Sequence, residues 1–596
     1  MTYDEVKSAS AERLPEIAED VRRRIIGSVA ANGGHLAASL GTVELTIALL
    51  RTFDPPKDKI LWDVGHQAYA WKMLTGRDGG FDTLRKHHGI SGFPNPSESP
   101  YDAFVAGHAG SALAAATGMA AARDRLGGGH VVAVIGDASL TNGESLEALN
   151  NCASLAERLI VIVNDNAMAI SRNAGGVARM LGRLLSDVRY NRVKAAAERL
   201  GHRMKLTFLR SVYHHVEQVV KSFWLKNSLF ETLGLRYVGP IDGHDLNALS
   251  SALMVAKEDK RPVLLHVVTT KGKGFAPAEK DPTAWHGVGP FDVRAALAGE
   301  RPGAKGKKSW SDVFGEALAD AARKDDRVCA VVAAMKDGTG LAGFAEEFPG
   351  RFFDVGICEE MAVTFAAGLA KSGMKPVVAI YSTFLQRSID QIQHDVCLQG
   401  LPVVFAIDRA GCVGADGFTH HGMYDISLLK PLSGMTLMAP TCAEELKSSL
   451  DCALAKGAPV AIRYPRGDAP AMAEVAPEPD SGAPCRVRLL AVGDQVAKAC
   501  KVKELLSADG IEAKVVPVAC VKPFAPGSEA GTLCVSLENG VVCGGFGESA
   551  GADMKFGWPD AAVCHGTVEE LEREHGFDAG SVAQAIRRRL AQEREG

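Results

Sequence analysis

The chain of 596 residues has no long hydrophobic run; its apolar stretches, such as 131–135 and 159–163, are short. A membrane-crossing helix needs about 20, so a membrane-embedded reading is excluded. Paired cysteines are also missing. Thirteen cysteines are scattered, twelve of them beyond position 328, and no two stand as Cys-x-x-Cys. So odd and dilute a set fits neither a zinc ribbon nor a disulfide framework; it suits reduced thiols in a cytosolic protein. Charge of one sign is not in excess either: 66 Lys+Arg stand against 71 Asp+Glu, a formal charge of −5. That leaves no basic footprint for nucleic acid and no like-charge tail. Residues 1–20 carry carboxylates and lack an apolar stretch, unlike a secretory signal, and no fixed-period repeat recurs along the chain. What is present is ordinary globular material, 46% hydrophobic and 23% charged. At about 150 residues per domain this length predicts three to five domains, each able to bury a core.

Short apolar runs recur, each followed by a turn and a helix-like stretch. They are 131–134, 159–163 and 263–268, then 328–332, 377–380, 403–407 and 460–463, then 487–492, 513–518 and 533–537. Runs without alternation suit strands buried on both faces, and their interleaving with helices predicts parallel α/β sheets. Two Gly/Pro-rich breaks, at 298–309 and 474–484, read as linkers. They cut the chain into 1–300, 308–473 and 485–596. Within the first unit, 177–225 is rich in Arg, Lys and His, has no proline, and carries amphipathic helical spacing. It reads as an inserted helical segment, either a lid or a plain surface excursion.

The most informative segments are Val131-Val-Ala-Val-Ile-Gly-Asp137 and Leu159-Ile-Val-Ile-Val-Asn-Asp-Asn166. Each is an apolar strand ending in a polar tip, and 29 residues separate Asp137 from Asn166. That distance accommodates a strand–helix–strand crossover that returns the second tip beside the first. Ligands of open parallel sheets bind beyond the carboxyl ends of strands. A carboxylate, an amide oxygen and a backbone carbonyl are hard donors suited to Mg²⁺ carrying diphosphate oxygens. Taken singly, Asp137 reads as a helix cap and Asn166 as a turn residue; the pairing favours metal. A Gly-x-Gly-x-x-Ala string at 545–550 follows an apolar run, but little helix is expected after it. It reads as a tight turn before a short helix rather than a dinucleotide site.

Further motifs carry a resemblance. They include Leu61-Trp-Asp-Val-Gly-His-Gln-Ala-Tyr69, Gly239-Pro-Ile-Asp-Gly-His-Asp245, Lys271-Gly-Lys-Gly-Phe275, Ala362-Val-Thr-Phe-Ala-Ala-Gly-Leu-Ala370, Ile380-Tyr-Ser-Thr-Phe-Leu-Gln-Arg387, Val413-Gly-Ala-Asp-Gly417 and Arg463-Tyr-Pro-Arg-Gly467. With the Gly-Asp…Asn pair, and in this order, they resemble the 1-deoxy-D-xylulose-5-phosphate synthases of the transketolase-like superfamily. The resemblance runs from about residue 34 to the end and is weakest in 177–225 and in a shortened last unit.

The resemblance implies three doubly wound α/β domains of the thiamine-diphosphate-binding fold, with cofactor held between the first two. In that family thiamine diphosphate attacks a carbonyl and accepts electrons on decarboxylation. The first domain, with its insertion at 177–225, would hold the diphosphate through Mg²⁺ on Asp137, Asn166 and the Met168 carbonyl. His66, the Gly107-His108-Ala109 turn, Ala138, Ser139 and Phe275 would complete the cofactor contacts. The second would hold the aminopyrimidine, with Phe384 stacking on it and Glu359 hydrogen-bonded to N1′. Apolar neighbours Ile357, Met361 and Val363 are expected to raise the Glu359 pKa; from residue pattern alone Glu359 reads as an acid at a helix N-terminus. His35, His286 and His420 would handle protons and hydrogen bonds at the intermediates. Tyr381, Arg409 and Arg466 would bind a sugar phosphate, the arginines buried between apolar strands, and Asp416 would accept from an aldehyde hydroxyl.

Several positions depart from the family pattern. Ala138 stands for a glycine, tolerable only if its φ is negative. Ala109-Gly110 replaces a hydroxyl pair, Met361 stands for His, Glu360 for Gln, and Phe418 and His421 for Gln. The implied activity is condensation of pyruvate with D-glyceraldehyde 3-phosphate to 1-deoxy-D-xylulose 5-phosphate and CO₂, by a cytoplasmic homodimer without nucleic-acid or membrane partners. That product feeds isoprenoid and thiamine synthesis. The alternatives are transketolase-like ketol transfer, a relaxed carboligase, or a cofactor-binding paralogue without turnover.

Overall fold

The computed structural model describes residues 2–166, 176, 229–300, 307–475, 485–525 and 531–595. They form two compact units, Met1–Asp82 with Phe93–Pro302, and Thr83–Gly92 with Gly303–Gly596. The inserted segment expected at 177–225 lies outside the described residues.

The first unit is built on β1 (Lys59–Trp62), β2 (Val131–Gly136), β3 (Leu159–Asp165), β4 (Arg236–Asp242) and β5 (Val263–Val268). Their order is β1-β2-β3-β5-β4 and every pairing is parallel. β2 and β3 are buried on both faces, as their unbroken apolar runs require. Val131, Ala133, Ile135, Leu159, Val161 and Val163 face one layer of core with Ala112, Leu113, Ala116 and Ala120 of the helix Ser111–Leu126. Alanine at these positions is the best helix former and lets the helix approach the sheet closely. That helix starts at Gly110, with φ +95°, where a Cβ would meet the Asn142 Oδ1 at 2.2 Å. Buried Asp63, just after β1, accepts from the Gly110 and Ala112 amides (3.0 and 3.2 Å) and so caps the helix.

The second unit contains β6 (Val328–Val332), β7 (Phe352–Asp354), β8 (Lys375–Tyr381), β9 (Val404–Asp408), β10 (Thr436–Met438) and β11 (Val460–Arg463). It continues through β12 (Val487–Val492), β13 (Ala513–Val518), β14 (Cys520–Lys522), β15 (Leu533–Val541) and β16 (Met554–Trp558). Two sheets result, β14-β10-β11-β9-β8-β6-β7 and β13-β12-β15-β16. All pairs are parallel except β10 with β14. The chain beyond the 474–484 break therefore returns one antiparallel strand to the edge of the preceding sheet. The two sheets also share core: Leu490, Val492, Val518 and Phe546 pack with Val378, Phe405, Leu437 and Ala461.

Among the described residues, ten of sixteen strands coincide with the apolar runs of the sequence; β1, β4, β7, β10, β14 and β16 do not. They are three to five residues long or, in β4, interrupted by Gly239-Pro240. A buried network ties the last two sheets together. Arg463 donates from Nε to Asp425 Oδ2 (2.8 Å) and from Nη2 to the Asn539 carbonyl (2.7 Å). Asn539 Oδ1 accepts from the Cys412 amide and the Trp558 indole, and its amide donates to Asp494. Both members of the ion pair are buried, so removing one strands the other's charge. The Asp425→Ala variant is expected to lose about 3–5 kcal/mol of unfolding free energy, read by urea denaturation; a loss under about 1 kcal/mol would show the network to be dispensable.

Candidate active site

The residues singled out from sequence fall into two constellations, one in each compact unit. In the first, Asp137 follows β2 and Asn166 lies one residue past β3. Those strands are hydrogen-bonded neighbours, with Gly136 opposite Asn164 and the Asp137 amide on the Asn164 carbonyl (3.3 Å). The two tips are therefore adjacent, as a strand–helix–strand crossover requires. Asp137 is buried and Asn166 half-buried; Met168 lies outside the described residues. Ala138 has φ −69° and ψ −41°, ordinary right-handed backbone, so alanine here carries no strain. Ser139 follows it, buried, in a single turn of 3₁₀ helix.

Below this edge runs a line of amides and hydroxyls. Thr269 Oγ1 donates to Asn164 Oδ1 (2.7 Å), whose Nδ2 donates to Gln67 Oε1 (2.9 Å), while Thr42 Oγ1 donates to the Gln67 carbonyl (2.7 Å). They fix the loop that carries His66. His35, His66 and His286 come together, with ring centroids 5.8 Å apart for His35–His286, 5.2 Å for His66–His286 and 6.1 Å for His35–His66. The cause is backbone pairing: Gly34 and Val288 exchange both hydrogen bonds, which sets the His35 loop against the His286 loop. Gly34, at φ +145°, is needed there because a Cβ would lie 2.6 Å from the Tyr69 hydroxyl. Burial, with Lys271 and the other two rings beside it, holds His286 well below the usual imidazole range, so it is neutral.

In the sequence Lys271 stands out only as part of its Lys-Gly-Lys-Gly-Phe string. It is buried and pushed down to about 8 by burial, with Asp137 as the opposing charge. Gly107 and Ala109 are buried and His108 half-buried, in the loop that Asp63 secures from below. Phe275 sits in an aromatic cluster, its ring at 84° to Trp285 with centroids 5.2 Å apart.

In the second constellation Glu359 opens the helix Glu359–Lys371 behind Gly356, whose φ is +77°. It is 3% exposed, and its Oε2 has no hydrogen-bond partner among the described residues; the Arg387 Nη1 stands 3.9 Å away. Burial pushes its carboxyl up to about 7. The expected surround needs one correction. Val363 is buried and Ile357 half-buried, but Met361 is 54% exposed. Two residues on from Glu359, Met361 lies on another face of the helix and does not shield the carboxyl.

Phe384 lies in the short helix Ser382–Leu385 that follows β8. Its ring stacks on Tyr381 (5.8 Å, 13°) and meets His420 edge-on (5.8 Å, 79°). Burial pushes Tyr381 up to about 12, so it stays a donor, and pushes His420 down to about 4, so it is neutral. Arg409, half-buried, comes directly after β9 with φ +56° and lays its guanidinium 4.2 Å from the Tyr381 ring centre. The expectation that both arginines are buried is corrected at Arg466, whose side chain is 44% exposed. It lies three residues past β11, beyond the cover of the apolar strand. Asp416 is held by two guanidiniums, Arg85 at 2.6 Å and Arg466 at 3.5 Å. Nothing in the sequence marks Arg85, because a charged residue in 83–92 carries no local signal. Among the departures, His421 is buried and structural. Its Nδ1 accepts from the Val413 amide (3.2 Å), and its Nε2 donates to the Cys564 carbonyl (3.0 Å). At 545–550 the helix is four residues long and buried Glu538 takes its Phe546 and Gly547 amides. No amide cradle for a dinucleotide phosphate is left there.

Comparison with known proteins gives these positions their context. Residues 1–269 match the family model described as 1-deoxy-D-xylulose-5-phosphate synthase. Residues 306–472 match the transketolase pyrimidine-binding domain, and 483–582 the transketolase C-terminal domain. The 1-deoxy-D-xylulose-5-phosphate synthase of Oleidesulfovibrio alaskensis is 45% identical over 98% of this chain and 96% of its own length. The second such synthase of Geobacter sulfurreducens is 46% identical over 98% and 97%. The chain belongs to the 1-deoxy-D-xylulose-5-phosphate synthase family. Its fold is the transketolase-like α/β fold, as the motifs implied. Within this synthase-family chain His35, His66, Gly107–Ala109, Asp137–Ser139 and Asn166 fall in the first matched segment, and Glu359, Tyr381, Phe384, Arg409, Asp416, His420 and Arg466 in the second. Phe275 and His286 lie between the two.

The buried Glu359 makes a linked prediction about stability. Its folded pKa of about 7 lies above the ordinary 4.5, so its contribution is intact below pH 4.5 and is lost as pH rises through 7, by up to about 3 kcal/mol. Glu359→Gln removes that cost. The variant is expected to unfold later than the native chain at pH 8, with the gap closing toward pH 5, in thermal or urea melts across that range; a pH-independent gap would place the carboxyl in solvent.

Proposed function

We propose that the chain condenses pyruvate with D-glyceraldehyde 3-phosphate, releasing CO₂ and forming 1-deoxy-D-xylulose 5-phosphate, with thiamine diphosphate and Mg²⁺. Membership of the synthase family supports the reaction. The observation that carries it in this chain is Glu359, a buried carboxyl near pKa 7 with an oxygen that has no hydrogen-bond partner among the described residues. Such a group fits the N1′ of an aminopyrimidine, because it can hold or share a proton at neutral pH. When bound, thiamine diphosphate supplies the carbon nucleophile and the electron sink for decarboxylation.

Asp137 and Asn166, with the Met168 carbonyl, would hold Mg²⁺, and buried Lys271 and His66 would add donors for the diphosphate. Gly107, His108, Ala109, Ala138 and Ser139 would lie along the cofactor, with Phe275 beside it and Phe384 on its ring. His35, His286 and His420 would orient carboxylate and hydroxyl groups; the two whose pKa is lowered do so as neutral rings. Arg409, Arg466 and the Tyr381 hydroxyl would take the phosphate of the aldehyde. The exposure of Arg466 suits a group that must meet an incoming dianion. Asp416, paired with Arg85 and Arg466, would keep both guanidiniums in position and accept from the substrate hydroxyl. We include in this reading the three-part division at 1–300, 308–473 and 485–596, a homodimer and a cytoplasmic location, to which the thirteen free thiols are suited.

The test is product analysis with pyruvate, D-glyceraldehyde 3-phosphate, thiamine diphosphate and Mg²⁺. The native chain is expected to yield the deoxypentulose phosphate and one CO₂ per turnover, Glu359→Gln to lose at least about 100-fold in kcat, and Arg409→Ala to raise KM for the aldehyde at least tenfold with less effect on pyruvate. Ketol transfer without CO₂ would identify a transketolase, and cofactor binding without product a non-catalytic paralogue.

A further inference from the structure

Among the described residues, one group of histidines and carboxylates has the make-up of a transition-metal site, and the proposed reaction does not use it. His87, His88 and Glu574 each present one ligand atom, and the three atoms lie within 4.8 Å of one another. We propose that His87, His88 and Glu574 form a binding site for a divalent transition-metal ion of the Zn²⁺ or Co²⁺ type, which clips the segment Thr83–Gly92 to the helix Val568–Glu574.

The donor set selects the metal class. Two borderline imidazole nitrogens beside one hard carboxylate oxygen favour Zn²⁺, Co²⁺ or Ni²⁺; Mg²⁺ prefers an all-oxygen shell. Three protein ligands leave one tetrahedral position for water. Bonds of about 2.0–2.2 Å bring tetrahedral ligands to roughly 3.4 Å from each other. The side chains must therefore close by about an ångström, which partly exposed groups achieve by small χ rotations. His87 Nε2 and Glu574 Oε2 are already 2.8 Å apart, and the two imidazole centroids 3.8 Å apart.

Both supporting backbones are fixed. In the 83–92 turn Arg85 N bonds the Ile90 carbonyl (2.7 Å), Gly89 N the Lys86 carbonyl (2.8 Å), and the Gly89 carbonyl meets His565 Nε2 (3.0 Å). His88 takes φ +56°, a left-handed conformation that a non-glycine residue rarely adopts. On the other side a Thr567–Glu570 capping box starts the helix that ends at Glu574. Only side-chain motion is then needed to close the site. The clip would bear on Arg85, two residues from His87 and paired with Asp416.

The test is titration of the full chain, free of any histidine tag and saturated with thiamine diphosphate and Mg²⁺ so that the Asp137 site is filled. Co²⁺ is the probe, followed by its visible absorption and by calorimetry, with Zn²⁺ as competitor. One equivalent of Co²⁺ displaceable by Zn²⁺ is expected, with affinity at least tenfold weaker in Glu574→Gln and the signal lost in the His87→Ala/His88→Ala double variant. His88→Gln, a milder surface change, should weaken binding in the same way if the double variant folds poorly. Equal binding by the native chain and these variants, or no Co²⁺ spectrum, would overturn the proposal. Because the readout is metal binding and not turnover, it stands or falls separately from the proposed reaction.

Discussion

Parallel pairing is the constraint from which the rest of this molecule follows. In a parallel sheet all strands end at the same edge, so residues distant in sequence meet there without any special contact of their own. In the first unit that edge carries Asp63 after β1, Asp137 after β2, Asn166 after β3 and Lys271 after β5. In the second it carries Tyr381 and Phe384 at β8, Arg409 after β9 and Arg466 after β11. The strands beneath are apolar because both faces are covered, and the abrupt change to polar residues at their ends marks where the covered core stops. Strength in the sheet and the gathering of polar groups at its rim thus come from one arrangement.

Several of the rim groups are kept at an energetic cost. Glu359 is buried with no hydrogen-bond partner for its Oε2 among the described residues, Lys271 is buried, and His286 and His420 are held neutral. Arg409 adds a left-handed backbone. Each is less stable than an apolar or exposed alternative. The surrounding scaffold offsets this with well-satisfied polar networks, such as Asn539 with Arg463, Asp494 and Trp558.

Three of the departures from the family pattern, Ala138, Met361 and His421, are explained by position. Ala138 sits in backbone that any residue adopts. Met361 is on the exposed side of its helix, and His421 serves as a brace between the 413 loop and residue 564.

Much of this architecture is legible in the order of the amino acids. Mainly apolar runs mark ten of the described strands, and those covered on both faces, such as β2 and β3, are apolar throughout. Polar tips at fixed spacing point to Asp137 and Asn166, and ordered motifs to Glu359 and the histidines. Short edge strands such as β7 and β14, and β4 with its Gly239-Pro240 break, leave no such trace, since three residues carry no period and an edge tolerates almost any composition. Residue order is thus enough for the fold class, the family and the residue types available for chemistry, because those depend on local pattern. It takes the folded arrangement to put Arg85 on Asp416, to bury Lys271 beside Asp137, to turn Met361 outward and to let Glu359 keep its proton near neutrality. Burial and charge pairing are properties of neighbours brought together through space, and no local stretch of sequence encodes them.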